Sequence, residues 1–154
     1  MRQQTLYQPT KAWLESKGFR AMITGARKHF VIPVSDLFSA PFKVPDIVGV
    51  DEGGQVAIAE VETDKEKFFD ALGRCMLWRC MATFVYLVYP KNRISRAPFL
   101  SRLGIGLLEV DPTCLFVTEQ VGLPRRDLFT VLELHPTDPV KEQQVANHIR
   151  DSLT

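Results

Sequence analysis

The chain lacks the cysteine patterns of disulfide-rich or zinc-binding proteins, and it lacks the apolar segments of secreted or membrane-spanning proteins. It has three cysteines, none of them in a Cys-x-x-Cys pair, so buried free thiols are expected and not a disulfide framework or a zinc site. The longest mostly apolar run, at 81–89, is too short to cross a bilayer. The first residues also lack the apolar stretch of a signal peptide. We therefore expect a cytoplasmic protein with no membrane partner.

Positive and negative charges are nearly balanced. Nineteen Lys and Arg residues stand against eighteen Asp and Glu, for a net charge of +1. A nucleic-acid partner would therefore have to be held by local basic patches and not by a global field. The length of 154 residues fits one domain with a substantial core. We predict a single domain over 1–154, with its core at about 5–119 and a C-terminal helix at about 139–153.

The most informative stretch runs from 45 to 62 and predicts two Val- and Ile-rich strands joined by a glycine-containing turn. If the loop has an odd number of residues, such as 52–54, Asp46 lies opposite Glu60, and Glu62 follows on the same face of the hairpin. A two-residue turn at Gly53 and Gly54 would instead place Asp46 and Glu60 on opposite faces. Three carboxylates at one end of a hairpin repel each other unless a cation lies between them, which suggests a metal site. Ordinary solvated acids at strand ends are the alternative.

The rest of the chain alternates between helical and strand patterns. Apolar residues at helical spacing predict helices at about 5–17, 65–81 and 140–153. Short β-branched and aromatic runs predict strands at 19–24, 29–34, 83–89, 104–110 and 115–119. The strand at 83–89 follows a helix, so we expect it to be parallel to the strand before that helix. This order predicts an α/β domain with a mixed sheet.

Asp46, followed fourteen positions later by Glu60-Val61-Glu62 and then by a helix and an apolar strand, resembles the PD-(D/E)xK nuclease superfamily. This superfamily includes restriction endonucleases, Holliday-junction resolvases and RecB-type exonucleases. The resemblance covers 5–89 in element order, and 104–110 is similar to the strand that often follows. It implies a restriction-endonuclease-like fold, in which helices flank a mixed central sheet.

The resemblance also implies an activity, the metal-dependent hydrolysis of DNA phosphodiester bonds by an endo- or exodeoxyribonuclease of resolvase-like or RecB-like kind. Asp46, Glu60 and the backbone carbonyl of Val61 would bind Mg²⁺, or Mn²⁺, since hard oxygen ligands suit these ions. The ion would lower the pKa of a bound water and neutralise charge on the scissile phosphate.

One departure from the family pattern concerns the expected lysine, whose place is taken by Glu62. Glu62 could bind a second metal ion or act as a base. Alternatively, Lys65 or Lys67 could be a relocated catalytic lysine, although a solvated helix start, which is common for lysines, would also explain both. Gln8 stands about where resolvase-like members have a helix glutamate, so that ligand is predicted to be absent.

Several basic residues are candidates for contacts with DNA phosphates. Arg74, on the helix after the motif, could bind a phosphate beside the site or lie on the surface. The other candidates could equally belong to solvated loops, and they are Lys91, Arg93, Arg96, Arg102, Arg125 and Arg126. The competing function is a catalytically degenerate nuclease-fold module that binds nucleic acid or a protein partner. The apolar strands and the Cys/Met-rich helix could also form a homodimer face.

Overall fold

The computed structural model describes residues 1–25, 44–94, 98–122 and 137–153. The predicted strand at 29–34 lies outside these ranges. None of the helices within them is long and apolar enough to cross a membrane. In chain order the described elements are α1 Gln4–Ser16, β1 Arg20–Ile23, β2 Ile47–Val50, β3 Val56–Val61, a 3₁₀-helix Lys65–Lys67, α2 Phe68–Trp78, β4 Phe84–Pro90, α3 Phe99–Arg102, β5 Ile105–Val110, β6 Val117–Val121 and α4 Pro139–Leu153.

The six strands form one mixed sheet in the order β1-β2-β3-β4-β5-β6. Strand β2 is antiparallel to both β1 and β3. Strands β3, β4 and β5 run parallel to one another, and β6 is antiparallel to β5. Each parallel pair is joined through a helix, because a hairpin cannot connect parallel strands. The prediction of an α/β domain with a mixed sheet flanked by helices is confirmed at this level.

The loop of the β2–β3 hairpin has an odd number of residues, as the predicted register requires. Ile47 pairs with Ala59, so one step outward Asp46 stands opposite Glu60. The backbone amide of Asp51 donates to the Gln55 carbonyl at 3.0 Å, which leaves 52–54 as the loop. Gly54 has φ +84°, a left-handed conformation that glycine adopts without a steric penalty. The alternative two-residue Gly53-Gly54 turn is therefore wrong.

The hairpin divides its side chains between two cores because successive strand residues point to opposite faces. Ile47, Ala57, Ala59 and Val61 pack on the face covered by α1. Their neighbours face the side covered by α2, α3 and α4; these are Val48, Val50, Val56 and Ile58. Glu60 and Glu62 continue the alternation of Val56 and Ile58, so their side chains lie on the side of the sheet that α2 covers.

Two predicted boundaries differ from the structure for local reasons. The helix predicted at 65–81 starts as the 3₁₀-helix, in which the Asp64 side chain accepts from the Glu66 amide at 2.9 Å, and α2 ends at Trp78. Strand β6 begins two residues later than the predicted 115–119. The preceding turn explains this, because Asp111 Oδ1 accepts from the Thr113 amide at 2.8 Å and Leu115 has φ +61°.

Helix α4 confirms the predicted C-terminal helix at about 139–153. Asp138 Oδ1 accepts from the Val140 amide at 2.9 Å, as a helix N-cap does. Glu142 then reaches the sheet, where its carboxylate accepts from the amides of Val56 at 3.1 Å and Thr83 at 2.6 Å. These contacts tie α4 to the turn end of the hairpin, opposite the acidic end.

Candidate active site

The acidic end of the hairpin opens into a cavity of about 290 Å³ that Asp46, Glu60 and Glu62 line together. Asp46 precedes β2, Glu60 is the penultimate residue of β3, and Glu62 follows that strand. The structure thus brings the three predicted carboxylates to one place. Their catalytic and metal-binding roles stay predictions.

Asp46 is fixed by contacts from two other elements. Its Oδ2 accepts from the Val61 amide at 2.8 Å, and its Oδ1 accepts from the Tyr7 hydroxyl at 3.0 Å. Gly25 closes over this pair, since a Cβ there would lie 2.8 Å from the Tyr7 hydroxyl oxygen and 2.9 Å from Asp46 Oδ1. A side chain at Gly25 would therefore displace one of the two.

Glu60 is only 2% exposed, and two side chains of α2 contact it. Its Oε1 accepts from the indole Nε1 of Trp78 at 2.5 Å, and its Oε2 lies 3.2 Å from Arg74 Nε. Trp78 and Arg74 are four residues apart, so they project from the same side of the helix onto the carboxylate.

Glu62 is 3% exposed and is held from three directions. Its Oε1 accepts from the amides of Thr63 at 3.1 Å and Asp64 at 3.0 Å. Its Oε2 accepts from Gln3 Nε2 at 3.2 Å and lies 3.8 Å from a terminal nitrogen of Arg74. Arg74 therefore contacts two of the three carboxylates.

The electrostatics of the cavity follow from its burial and its excess of acids. Burial raises the pKa of Glu60 to about 7, repulsion by Asp46 adds to the rise, and the contacts from Trp78 and Arg74 oppose it. Burial also raises the pKa of Asp46, against the hydrogen bonds from Val61 and Tyr7 that favour its charged form. Burial thus favours the protonated forms of both Asp46 and Glu60.

Of the two predicted lysines, Lys67 lines the cavity, together with Asp70 and Arg74 of α2. Lys65 is an exposed residue at the start of the 3₁₀-helix. The helical spacing of 67, 70 and 74 places these side chains along one face. The arrangement favours Lys67 over Lys65 as a relocated lysine.

Sequence reasoning missed the part of the site that α1 supplies. Gln3 and Tyr7 are one helical turn apart, and both reach carboxylates of the cavity. Gln8, which we placed at the position of a helix glutamate, lines a separate cavity of about 330 Å³ with Lys11 and Ile23. Gln8 is thus on another side of α1 from Gln3 and Tyr7, and the absence of a helix glutamate ligand stays a prediction. The four-residue spacing of Gln3 and Tyr7 was the available signal.

The predicted phosphate contacts are spread over several locations. Arg74 belongs to the cavity and is not an open surface residue. Lys91 is exposed, with its Nζ 3.7 Å from Asp111 Oδ2, and Arg93 and Arg102 are also exposed. The remaining candidates lie outside the described residues, and they are Arg96, Arg125 and Arg126.

No group of three or more His, Cys, Asp or Glu side chains stands ready to bind a metal ion within the described ranges. Both oxygens of Asp46 accept hydrogen bonds, and Arg74 contacts Glu60 and Glu62. The donor atoms are nevertheless carboxylate oxygens, which is the chemistry that Mg²⁺ and Mn²⁺ prefer.

Comparison with known proteins supports the fold and nothing finer. A scan against protein-family models found no match, and a search of curated proteins found none. A solved structure, that of SPO1766, a protein of unknown function from Silicibacter pomeroyi, is similar with a TM-score of 0.57 and 15% identity. The similarity covers 99% of this chain and 89% of the other. The chain therefore shares an α/β fold with that protein.

Proposed function

We propose that this chain is a metal-dependent nuclease domain of the restriction-endonuclease-like fold that hydrolyses phosphodiester bonds in DNA. The observation that carries the proposal is the convergence of Asp46, Glu60 and Glu62 on one cavity. Buried carboxylates of like charge are costly, so their grouping at an open cavity calls for a positively charged ligand. The cavity is also large enough to admit solvent and part of a substrate.

The order of the elements supports the same proposal. The described elements from α1 to β4 include a helix, three antiparallel strands, a helix and a parallel strand. The resemblance to the PD-(D/E)xK superfamily covers 5–89 in element order, and the strand predicted at 29–34 lies outside the described residues. Asp46, just before the second strand, faces Glu60 on the third, and Arg74 of α2 contacts Glu60.

Asp46 and Glu60, with the Val61 carbonyl, would hold Mg²⁺ or Mn²⁺. When bound, such an ion supplies an activated water and neutralises charge on the phosphate. Arg74 has to release Glu60 for this to happen. Its side chain is 22% exposed, so it has access to the mouth of the cavity. There its guanidinium can bind a phosphate oxygen, since the planar group suits phosphate geometry.

The lysine that the PD-(D/E)xK pattern expects is replaced by Glu62, and we assign its functions to Lys67 and Glu62 together. Lys67 lines the cavity and contributes positive charge near the phosphate. Glu62 accepts from two backbone amides and from Gln3 and also contacts Arg74. Its oxygens are already used in these contacts, and we therefore assign Glu62 the role of positioning Gln3 and Arg74.

A cleavage assay with Mg²⁺ or Mn²⁺ on single-stranded, duplex and branched DNA tests the proposal. Asp46→Asn is expected to abolish cleavage because it removes a negative metal ligand of nearly unchanged shape. Glu52→Gln is the matched control, since Glu52 is an exposed acid at the turn end of the same hairpin. Absence of cleavage of every substrate by the unaltered protein would overturn the proposal.

A second candidate, a nuclease-fold module without catalysis, is favoured by one observation. Arg74 contacts both Glu60 and Glu62 and balances part of their charge without a metal ion. Calorimetric titration with Mn²⁺ separates the two candidates. The nuclease binds the ion and loses that binding in Asp46→Asn, whereas the degenerate module shows no heat of binding in either protein.

A further inference from the structure

Arg74 contacts two carboxylates of the acidic cavity through different nitrogen atoms. Its Nε lies 3.2 Å from Glu60 Oε2, and a terminal nitrogen lies 3.8 Å from Glu62 Oε2. Both glutamates are buried, whereas the Arg74 side chain is 22% exposed. The guanidinium therefore reaches from the solvent side of the cavity to acids that are themselves covered.

The charged side chains that line the cavity do not balance. Four acids and two bases line it, and they are Asp46, Glu60, Glu62, Asp70, Lys67 and Arg74. When all six are ionised, the lining has two negative charges in excess. One divalent cation carries the charge that neutralises this excess. Arg74 already neutralises part of the charge of the buried acids, so it stands in the place of such a cation.

An incoming cation would meet a hydrogen-bond donor at each oxygen of Glu60. Trp78 Nε1 donates to Oε1 at 2.5 Å, and Arg74 Nε donates to Oε2 at 3.2 Å. The guanidinium is the charged donor, and like charges repel strongly at a buried carboxylate that little water screens. Trp78 is buried, whereas Arg74 has solvent access. Arg74 is therefore the donor that a cation displaces.

Helix α2 offers Arg74 a second ionic partner, Asp70. This acid is exposed, lines the same cavity and precedes Arg74 by four residues, which is about one helical turn. An acid four residues before a base is the orientation that favours an ion pair along a helix. An Arg74 side chain that leaves Glu60 can therefore stay at the rim of the cavity, near Asp70, where the proposed substrate would enter.

We propose that Arg74 couples the binding of the metal ion to the binding of a DNA phosphate. In the position that the structure shows, Arg74 holds Glu60 and Glu62. In a second position, at the rim, it frees their oxygens for the cation and presents its guanidinium to the phosphate. Each partner thus strengthens the binding of the other, since coupling between two sites is reciprocal.

The inference rests on the proposed nuclease function and adds a regulation of the same site. A cavity coupled in this way binds its metal ion weakly without DNA, because Arg74 competes for the acids. It binds a phosphate weakly without the metal ion, because the acids retain Arg74. Both partners together release Arg74 from this competition. The metal ion would therefore bind tightly only when the substrate is present.

Electron paramagnetic resonance of free Mn²⁺ measures the metal half of the coupling without DNA and without cleavage. Arg74→Gln is expected to bind Mn²⁺ about tenfold more tightly than the unaltered protein, because the competing charge is gone. Lys67→Gln is the matched control, since Lys67 lines the same cavity and carries the same charge, whereas Arg74 is the base on Glu60. A gain in Arg74→Gln no larger than that in Lys67→Gln would overturn the inference.

Fluorescence anisotropy of a labelled oligothymidylate in EDTA measures the phosphate half. Glu60→Gln weakens the hold on Arg74 and is expected to tighten binding about tenfold, a gain that adding Arg74→Gln should remove. Asp46→Asn removes the same charge, but the donors to Asp46 are Val61 and Tyr7, so its gain should be smaller. Equal affinities in Glu60→Gln and Asp46→Asn would overturn the inference. This comparison holds even if Arg74→Gln fails to fold.

The outcomes separate the coupling from the nuclease proposal. Coupling in both measurements, without cleavage of any DNA, would contradict the nuclease and leave the role of Arg74 intact. Cleavage by the unaltered protein, with the same Mn²⁺ affinity in Arg74→Gln, would do the reverse. Absence of Mn²⁺ binding in the unaltered protein and in both single variants of α2 and its cap, Arg74→Gln and Lys67→Gln, would overturn the two together.

Discussion

Two glutamates at opposite ends of the β2–β3 hairpin face very different surroundings. At the turn end, Glu142 accepts from the Val56 and Thr83 amides and the Thr83 hydroxyl, all neutral donors. At the acidic end, Glu60 shares a cavity with Asp46 and a third carboxylate, and its pKa is raised to about 7. Glu142 has the contacts of a structural brace. Glu60 has the surroundings of a ligand site, because burial and then the nearby Asp46 oppose its ionised form.

The largest contrast is expected in catalysis. Glu60→Gln removes a proposed metal ligand, so DNA cleavage should fall by about a thousandfold, which corresponds to about 4 kcal/mol of transition-state stabilisation. Glu142→Gln should cleave at the unaltered rate, since Glu142 lies at the other end of the hairpin. Rates measured under single-turnover conditions check this. Equal losses of cleavage rate in the two variants would mean that Glu60 has no catalytic role that Glu142 lacks.

The second contrast is in the pH dependence of stability. Glu60 has a pKa raised from 4.5 to about 7 in the folded chain, so the folded state binds its proton more tightly than the unfolded state. Its contribution is therefore present below about pH 4.5 and is lost as the pH rises to about 7. The loss amounts to as much as about 3 kcal/mol. Urea unfolding across this range should show the decline in the metal-free protein, and Glu60→Gln should flatten it. A decline that survives in Glu60→Gln would assign it to another group.

Glu142→Ala should lower stability by about 2 kcal/mol, because the Val56 and Thr83 amides lose their acceptor. Gln144→Ala is the control, since Gln144 is exposed on the same helix. Denaturant midpoints of the two variants give the difference. An unchanged midpoint in Glu142→Ala would show that water replaces the carboxylate at no cost, and Glu142 would then not be a brace.

The smallest effects concern two glycines with opposite expectations. Gly73→Ala should stabilise the chain by about 1 kcal/mol, because the added methyl group meets open space in a helix interior. Gly54→Ala should destabilise it by about 1 kcal/mol, since Gly54 has φ +84° in the hairpin loop. Thermal unfolding of both variants compares them directly. Destabilisation by Gly73→Ala would mean that packing already explains this glycine.

The arrangement of the acids was predictable because it depends on local rules. An odd loop at 52–54 and strict alternation place Asp46 opposite Glu60. The fixed order of elements also made α2 the helix beside the motif. Both inferences need only neighbouring stretches of the chain.

The partners of the acids were not predictable because they depend on how distant elements pack. Tyr7 is 39 positions from Asp46, and Gln3 is 59 positions from Glu62. Helical spacing indicates which residues share a face but not which face of α1 meets the end of the sheet. Arg74 could equally have been a surface residue, and only the packing of α2 places it on Glu60. The contact of the Trp78 indole with Glu60 depends on the packing of α2 in the same way.

The central claim is that the cavity between Asp46 and Glu60 binds a divalent cation. Anomalous diffraction from a crystal soaked in Mn²⁺ tests this most directly. The account predicts an anomalous peak between the two carboxylates, with the Arg74 guanidinium moved away from Glu60. No peak at high Mn²⁺, with Arg74 still in contact with Glu60, would contradict it.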